Sequence, residues 1–341
     1  MSSDVLSEVL RAVRLTGAVF FEVKGSAPWV AEAPEAKWIA PHVMPGAEHV
    51  IEYHVITGGS CWGGLVGEPA RELHAGDVLV FPQGDAHVMA SAPGMRGPHE
   101  QQLGHYRRPE NGRLPIAMSL NTQGSGDAQL VCGFIGCDAR PFNPLLKSLP
   151  RVIHAQQKSV EDGALLKHLI RVALMESTSR REGGETMLAR VSELLFIEVV
   201  RNYCASLPGD TKGWLAGLRD EVVGRALSIL HDRPAEAWTI ESLAKEVGSS
   251  RSLLAERFNA FVGSPPMHYL ARWRMQLAAS LLASNLTMAD VAQRVGYGSE
   301  AAFSRAFKRL VGVAPSAWRE GARPDIAFVG PEELDETEAS S

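Results

Sequence analysis

Residues 239–248 read TIESLAKEVG and residues 287–296 read TMADVAQRVG, one pattern written twice at an offset of 48 positions. Thr239 and Thr287 each stand before an apolar residue, where a hydroxyl caps a helix N-terminus. Ile240, Leu243, Ala244 and Val247 share one helical face, and Met288, Val291, Ala292 and Val295 repeat it. Gly248 and Gly296 then stand where a helix ends and the chain turns. A second helix is predicted after each turn. Ser250 and Ser299 are its caps, and its apolar positions are Leu254, Phe258 and Phe261 in the first unit and Phe303, Phe307 and Leu310 in the second. Gly263 with Pro266, and Gly312 with Pro315, close the units. Two short helices joined by a tight turn, with a small Ala facing inward before it, make a helix-turn-helix.

One such unit reads equally as a plain helical hairpin. Two in register, joined by a helix-forming segment, do not. That segment, PPMHYLARWRMQLAASLLASN at 265–285, has the length of a helix of roughly 30 Å. A strut of that size suits two reading helices set near the spacing of one DNA turn, about 34 Å.

The second unit continues from Asp290 as DVAQRVGYGSEAAFSRAFKR to Arg309, followed by Gly312, Pro315 and Trp318-Arg319. On these residues, positions 220–320 resemble the DNA-binding domain of the AraC/XylS family of transcriptional regulators. The resemblance implies that Ser252, Ala255 and Glu256 face bases from the first reading helix, and Glu300, Ala301, Ala302 and Arg305 from the second. Arg251, Arg274, Ser304 and Lys308 are candidates for phosphate contacts, which position a protein on DNA without reading it. Glu256 stands where that family often carries a basic residue. It suits a cytosine amine, or pairs with a neighbouring Arg, whereas an Arg would suit guanine. The alanines offer methyl contact, as to thymine.

The N-terminal half has a different texture. Residues 15–145 hold short apolar runs such as HVIEYHVI, DVLVFP and AQLVCGFI between Gly and Pro, which predicts an all-β barrel or sandwich. The run GDVLVFPQGDAH, Gly76 to His87, has the spacing G-x5-P-x-G-x2-H. It is similar to the second motif of the cupin superfamily, a strand, a tight turn and a return strand that aims one His into a small barrel. Of the first motif, Glu52 and Gly59 keep their spacing while its His pair is absent; His54 lies two residues beyond Glu52, on the same strand face. The half resembles the cupin-type sensor domains of one branch of the same regulators. That resemblance implies His54, His87 and Cys132 as ligands for Zn or another divalent metal, a set whose chemistry suits borderline metals. The alternative is that these side chains merely line the barrel, with His42, His49, His74, His99 and His105 as competitors. Cys132 and Cys137 are a candidate redox pair if a turn at Gly136 brings them together, and Cys61 is a second partner for Cys132 across the barrel. Trp29, Trp38, Trp62, Phe81 and Tyr53 are either a ligand-facing wall or ordinary core.

These readings divide the 341 residues into four parts. Residues 1–150 form a cupin-like sensor, 151–213 a helical connector and linker, 214–321 the double helix-turn-helix domain, and 322–341 an acidic tail expected to be disordered. Within the connector, 161–206 holds two helical patterns separated by a turn at 180–184, fitting either a cover on the barrel or a dimerising pair. The fold class is multidomain, an all-β barrel followed by an all-α domain.

Charge supports the assignment. The chain carries −5 overall, yet 239–319 holds ten Lys and Arg against five Asp and Glu, and 322–341 one against six. A basic region inside an acidic chain suits site-specific contact with double-stranded DNA. Four cysteines are too few for a disulfide framework. No apolar run reaches the roughly 18–20 residues that cross a bilayer, and the N-terminus lacks a signal-peptide pattern, so a cytoplasmic location without membrane partners is expected. A homodimer responding to a small-molecule or stress effector, and meeting RNA polymerase if it activates, is the expected assembly. Two rivals remain: a cupin metal-dependent enzyme with a DNA-binding appendage, and a protein-binding repeat. The sequence offers no nucleophile–base arrangement, phosphate loop or dinucleotide fingerprint for the first, and the basic balance disfavours the second.

Overall fold

A computed structural model describes residues 4–97, 106, 114–123, 125–156, 164–179 and 181–321. The expected disordered tail, the competing ligands His99 and His105, and Arg180 of the expected turn lie outside the described residues. Two units emerge from the packing. One comprises the described residues of 13–139 and 149–207; the other comprises those of 4–12, 140–148 and 208–321.

The first unit is the predicted barrel. Its strands are β1 (Thr16–Ala27), β2 (Val30–Ala33), β3 (His49–Gly58), β4 (Ser60–Leu65), β5 (Arg71–His74), β6 (Val78–Phe81), β7 (His87–Ala90), β8 (Ile116–Leu120), β9 (Ser125–Cys137) and β10 (Ile153–Ala155). They form a six-stranded sheet in the order β10-β6-β3-β9-β1-β8 and a four-stranded sheet in the order β2-β7-β4-β5. All pairs are antiparallel except β1 with β8. The core between the sheets is apolar, with Ile56, Leu73, Leu79, Phe81 and Leu130 buried, and Ile39 of the short helix Ala36–Val43 closes one side. The tight turn of the G-x5-P-x-G-x2-H run is present. Gly84 takes φ +67°, and a Cβ there would meet the Val50 carbonyl at 2.9 Å.

Counting α1 as Val5–Ala12, α2 as Ala36–Val43 and α3 as Pro144–Ser148, the helical pair of the connector is α4 (Ala164–Ser179) and α5 (Gly184–Ser206). Both pack on the barrel, burying Leu166, Ile170 and Ala173 from α4 and Leu188, Val191, Leu195 and Val199 from α5. The cover reading is therefore what the packing shows. An outer apolar stripe remains on each helix: Leu165, Val172 and Met175 on α4, Met187 and Leu194 on α5.

The second unit is helical throughout its described residues: α6 (Trp214–Gly217), α7 (Glu221–Asp232), α8 (Ile240–Val247), α9 (Arg251–Val262), α10 (Pro266–Leu282), α11 (Met288–Arg294), α12 (Glu300–Val311) and α13 (Pro315–Arg319). Here the packing divides the chain differently from the boundaries 1–150, 151–213 and 214–321. Helix α1 and residues 140–148 pack with α6–α13, and 151–207 packs with the barrel. The fully buried amide of Gln276 on α10 explains the attachment. Its Nε2 donates to the Ala12 carbonyl at 3.0 Å, and its Oε1 accepts from the Phe142 amide at 3.0 Å. Two backbone groups that would be orphaned without Gln276 are thus satisfied. Helix α10 has 17 residues, about 25 Å, shorter than the strut expected from 265–285.

Candidate functional site

Both predicted helix-turn-helix units form, and their caps are those read from the sequence. The Thr239 hydroxyl accepts from the Ser242 amide, and the Thr287 hydroxyl from the Asp290 amide, each with the reciprocal bond of a capping box. Ser250 accepts from the Leu253 amide at 3.2 Å and Ser299 from the Ala302 amide at 3.2 Å. The turn before α12 requires its glycine: Gly296 sits at φ +82°, and a Cβ there would meet the Ala235 carbonyl at 2.4 Å. Leu243, Ala244, Val247, Leu254 and Phe258 are buried in the first unit; Val291, Ala292, Val295, Phe303 and Phe307 are buried in the second. Phe261 and Leu310, also expected in the core, are half-buried, and Val311 takes the inner place near Leu310.

Helices α9 and α12 leave their outer faces open. Arg251, Ser252, Glu256, Glu300, Ala301, Arg305 and Lys308 are exposed; Ala255, Ala302 and Ser304 are half-buried. Arg251 pairs with Glu241 at 2.9 Å. Arg274, on α10, is half-buried. Its guanidinium donates to the carbonyls of Pro234 at 2.7 Å and Glu236 at 2.6 Å and lies over the Tyr297 ring. These bonds hold the loop after α7 against α10. Arg257, which the sequence did not single out, projects from α9 but pairs with Asp220, the N-cap of α7.

In the barrel unit, a cavity of about 320 Å³ opens between the sheets, bordered by Phe21, Trp29, Tyr106, Leu130 and Phe134 and, at a polar patch, by Glu52, His54, His87 and Cys132. Of the five aromatic candidates only Trp29 lines it. Trp38 is exposed, Trp62 is half-buried and borders a different depression, Phe81 stacks on the His87 ring at 3.8 Å, and Tyr53 points from β3 to the opposite face, where its hydroxyl meets Ser192 of α5 at 2.6 Å. Tyr106, lying between uninformative residues in the sequence, gave no signal there.

The predicted ligands His54 and His87 do meet, Nε2 to Nε2, at 2.7 Å. This is a hydrogen bond between two rings. Two nitrogens on one tetrahedral zinc, each about 2.0–2.1 Å from it, would stand about 3.3 Å apart. Cys132 lies opposite His54 in the β3–β9 register, but among the described residues no three His, Cys, Asp or Glu side chains group so as to hold a metal. The residues present do not fit the expected metal. His42, His49 and His74 complete no such group either.

The redox pair fails on geometry. Cys132 and Cys137 belong to one continuous strand, β9, and five residues of strand separate them by about 16 Å and face them oppositely. All three barrel cysteines are buried free thiols; burial pushes Cys61 and Cys137 up to about 12 and Cys132 higher, the opposite of a reactive thiolate. Burial likewise keeps both rings of the pair neutral, His87 pushed down to about 4 and His54 well below its ordinary value, and raises the Glu52 carboxyl well above its own. Glu52 Oε1 and His54 Nδ1 are buried without a hydrogen-bond partner.

Comparison with known proteins agrees with both halves. The family described as Cupin matches residues 4–205, and a helix-turn-helix domain family matches 243–321. An AraC-like transcription regulator of Streptomyces lividans is 33% identical over 80% of this chain and 88% of its own length. The HTH-type transcriptional regulator AlkR of Acinetobacter baylyi is 29% identical over 93% and 99%. Among solved structures, the DNA-binding domain of the global transcriptional factor AdpA in complex with a target DNA is 28% identical, covering 30% of this chain and 92% of that one, with a TM-score of 0.29. No helix among the described residues is long and apolar enough to cross a membrane. With a Cupin half, two capped helix-turn-helix units and relatives of this kind over most of its length, the chain belongs to the AraC-type, DNA-binding transcriptional regulators.

Proposed function

We propose that the regulator responds to a small, largely apolar molecule taken into the barrel cavity, and that occupancy changes its hold on DNA. The observation that carries this reading is the cavity itself, of a size that small-molecule sites have, with apolar walls and a few polar groups gathered at one patch. Strand β3 offers a route outward. Glu52 and His54 face the cavity, while Tyr53 between them faces the other way onto Ser192 of α5. A ligand that displaces β3 acts on the helix pair through that bond. The exposed stripe on α4 and α5 supports a homodimer, with Leu165, Val172 and Met175 spaced seven and three residues apart on one face. A metal or thiol signal has less support, since the side chains it needs are hydrogen-bonded to each other or buried as thiols.

The test begins with selection of genomic fragments by the purified full chain across a salt series. Recovery of a motif with two blocks about one helical turn apart is expected. Compounds are then screened for a shift in affinity at that motif. The half-buried cavity residue Met118, replaced by Trp, is expected to abolish the response while leaving binding without effector intact. A response that survives this plug sinks the cavity reading.

A further inference from the structure

The hydrogen-bond chain at the polar patch of the cavity fixes which atoms carry protons. His87 Nδ1 lies 2.9 Å from the Asp85 carbonyl, which can only accept, so Nδ1 bears the hydrogen. In a neutral ring the other nitrogen, Nε2, is then an acceptor. His54 Nε2 must donate across the 2.7 Å that separate them. His54, neutral too, is left with a bare lone pair on Nδ1, and that atom is buried with no partner. The neighbouring Glu52 Oε1 is also buried without a partner, but a carboxyl can offer either a hydrogen or a lone pair there, so it selects neither. Its other oxygen lies 3.9 Å from His87 Nε2, beyond hydrogen-bonding range. Burial of both rings supports the neutral states that the relay requires.

A buried acceptor without a donor costs the protein the hydrogen bond it had with water. A molecule that supplies the missing hydrogen recovers that cost, whereas one bearing only acceptors recovers nothing. The lining contains no Lys or Arg to neutralise an anion, and the carboxylate of Glu32 opposes one. Glu32 is already held by Arg96 at 2.7 Å and by the Gly97 amide.

We infer that the effector is an apolar molecule ending in a hydrogen-bond donor, a hydroxyl or an amine, which the unfilled acceptor His54 Nδ1 selects over ethers, ketones and carboxylates. This rests on the reading of the cavity as the effector site. The probes are 4-phenylbutan-1-ol, its methyl ether and 4-phenylbutanoate, titrated into the full chain by calorimetry. The alcohol is expected to bind at least tenfold more tightly than the ether, with the carboxylate weakest. In His54→Phe, checked for cooperative unfolding, the preference for alcohol over ether is expected to fall to within threefold, while the affinity for the ether changes little. Met118→Trp is expected to lose both. Equal binding of alcohol and ether by the unaltered chain overturns the donor rule but leaves the cavity reading standing. Undiminished binding of both by Met118→Trp overturns the cavity reading itself, and no saturable binding of any probe overturns both.

Discussion

Arg274 and Arg305 are indistinguishable as letters, each one of several arginines in a basic segment. Their surroundings separate them. Arg305 is exposed on α12, and its replacement by Ala is expected to cost about 1–3 kcal/mol at the cognate DNA site with little change in the unfolding midpoint. An equal loss on all sequences would make it a phosphate contact instead. Arg274→Ala is expected to behave inversely, costing about 1.5–3 kcal/mol of stability through its two carbonyl bonds. His231 supplies a pH signature for the same unit. Buried, it is pushed down to about 3, and its Nε2 meets the Tyr269 hydroxyl at 2.8 Å. The unfolded chain, with an ordinary His near 6.5, binds the proton that the folded one refuses. Stability is therefore complete above about pH 6.5 and lost as pH falls towards 3, by about 2 kcal/mol at pH 5. Urea unfolding at pH 7 and pH 5 checks this. His231→Gln is expected to flatten the slope, and an unchanged slope in that variant would refute the assignment.

At the scale of elements, what the sequence revealed was whatever repeats locally. The capped, glycine-stopped helices of both units were legible because Thr239, Ser250, Thr287 and Ser299 act within three residues of themselves. The turn through Gly84 was legible for the same reason. The cavity was not, because Phe21 and Phe134 come from stretches over a hundred residues apart that only the β1–β9 pairing brings together, and Trp29 and Tyr106 join them from outside that pairing. Nor could spacing alone decide Cys132 and Cys137, whose relation depends on whether β9 runs straight through Gly136. Helices α4 and α5 show a third case: periodicity predicted them, yet their outer stripe matters only if something covers it. Leu194→Glu, which places a charge at an exposed position of α5, is expected to turn a dimer into a monomer in sedimentation while leaving secondary structure unchanged. A wild-type chain that sediments as a monomer at micromolar concentration would remove the dimer from the proposal.

For the whole molecule, the order of residues along the chain and the membership of the units do not coincide. The stretch 206–213 reads as a linker, and the break at 207/208 between the units falls within it, after its first two residues. A protease nick there is nonetheless expected to leave the two fragments co-eluting under native conditions. The N-terminal fragment keeps α1 and 140–148, which pack with α6–α13 and hold the amide of Gln276. Separate elution of the fragments would show that attachment to be weak.

The attachment through Gln276 also bears on how such a protein can be recombined. The chain passes between its units at 12/13, 139/140, 148/149 and 207/208. A gene fusion with a single junction at the linker would deliver a reading unit stripped of two of its own pieces, and a sensor still carrying them. New pairings of sensor and reader made from this chain therefore have to exchange three segments together, so the two halves are inherited as one.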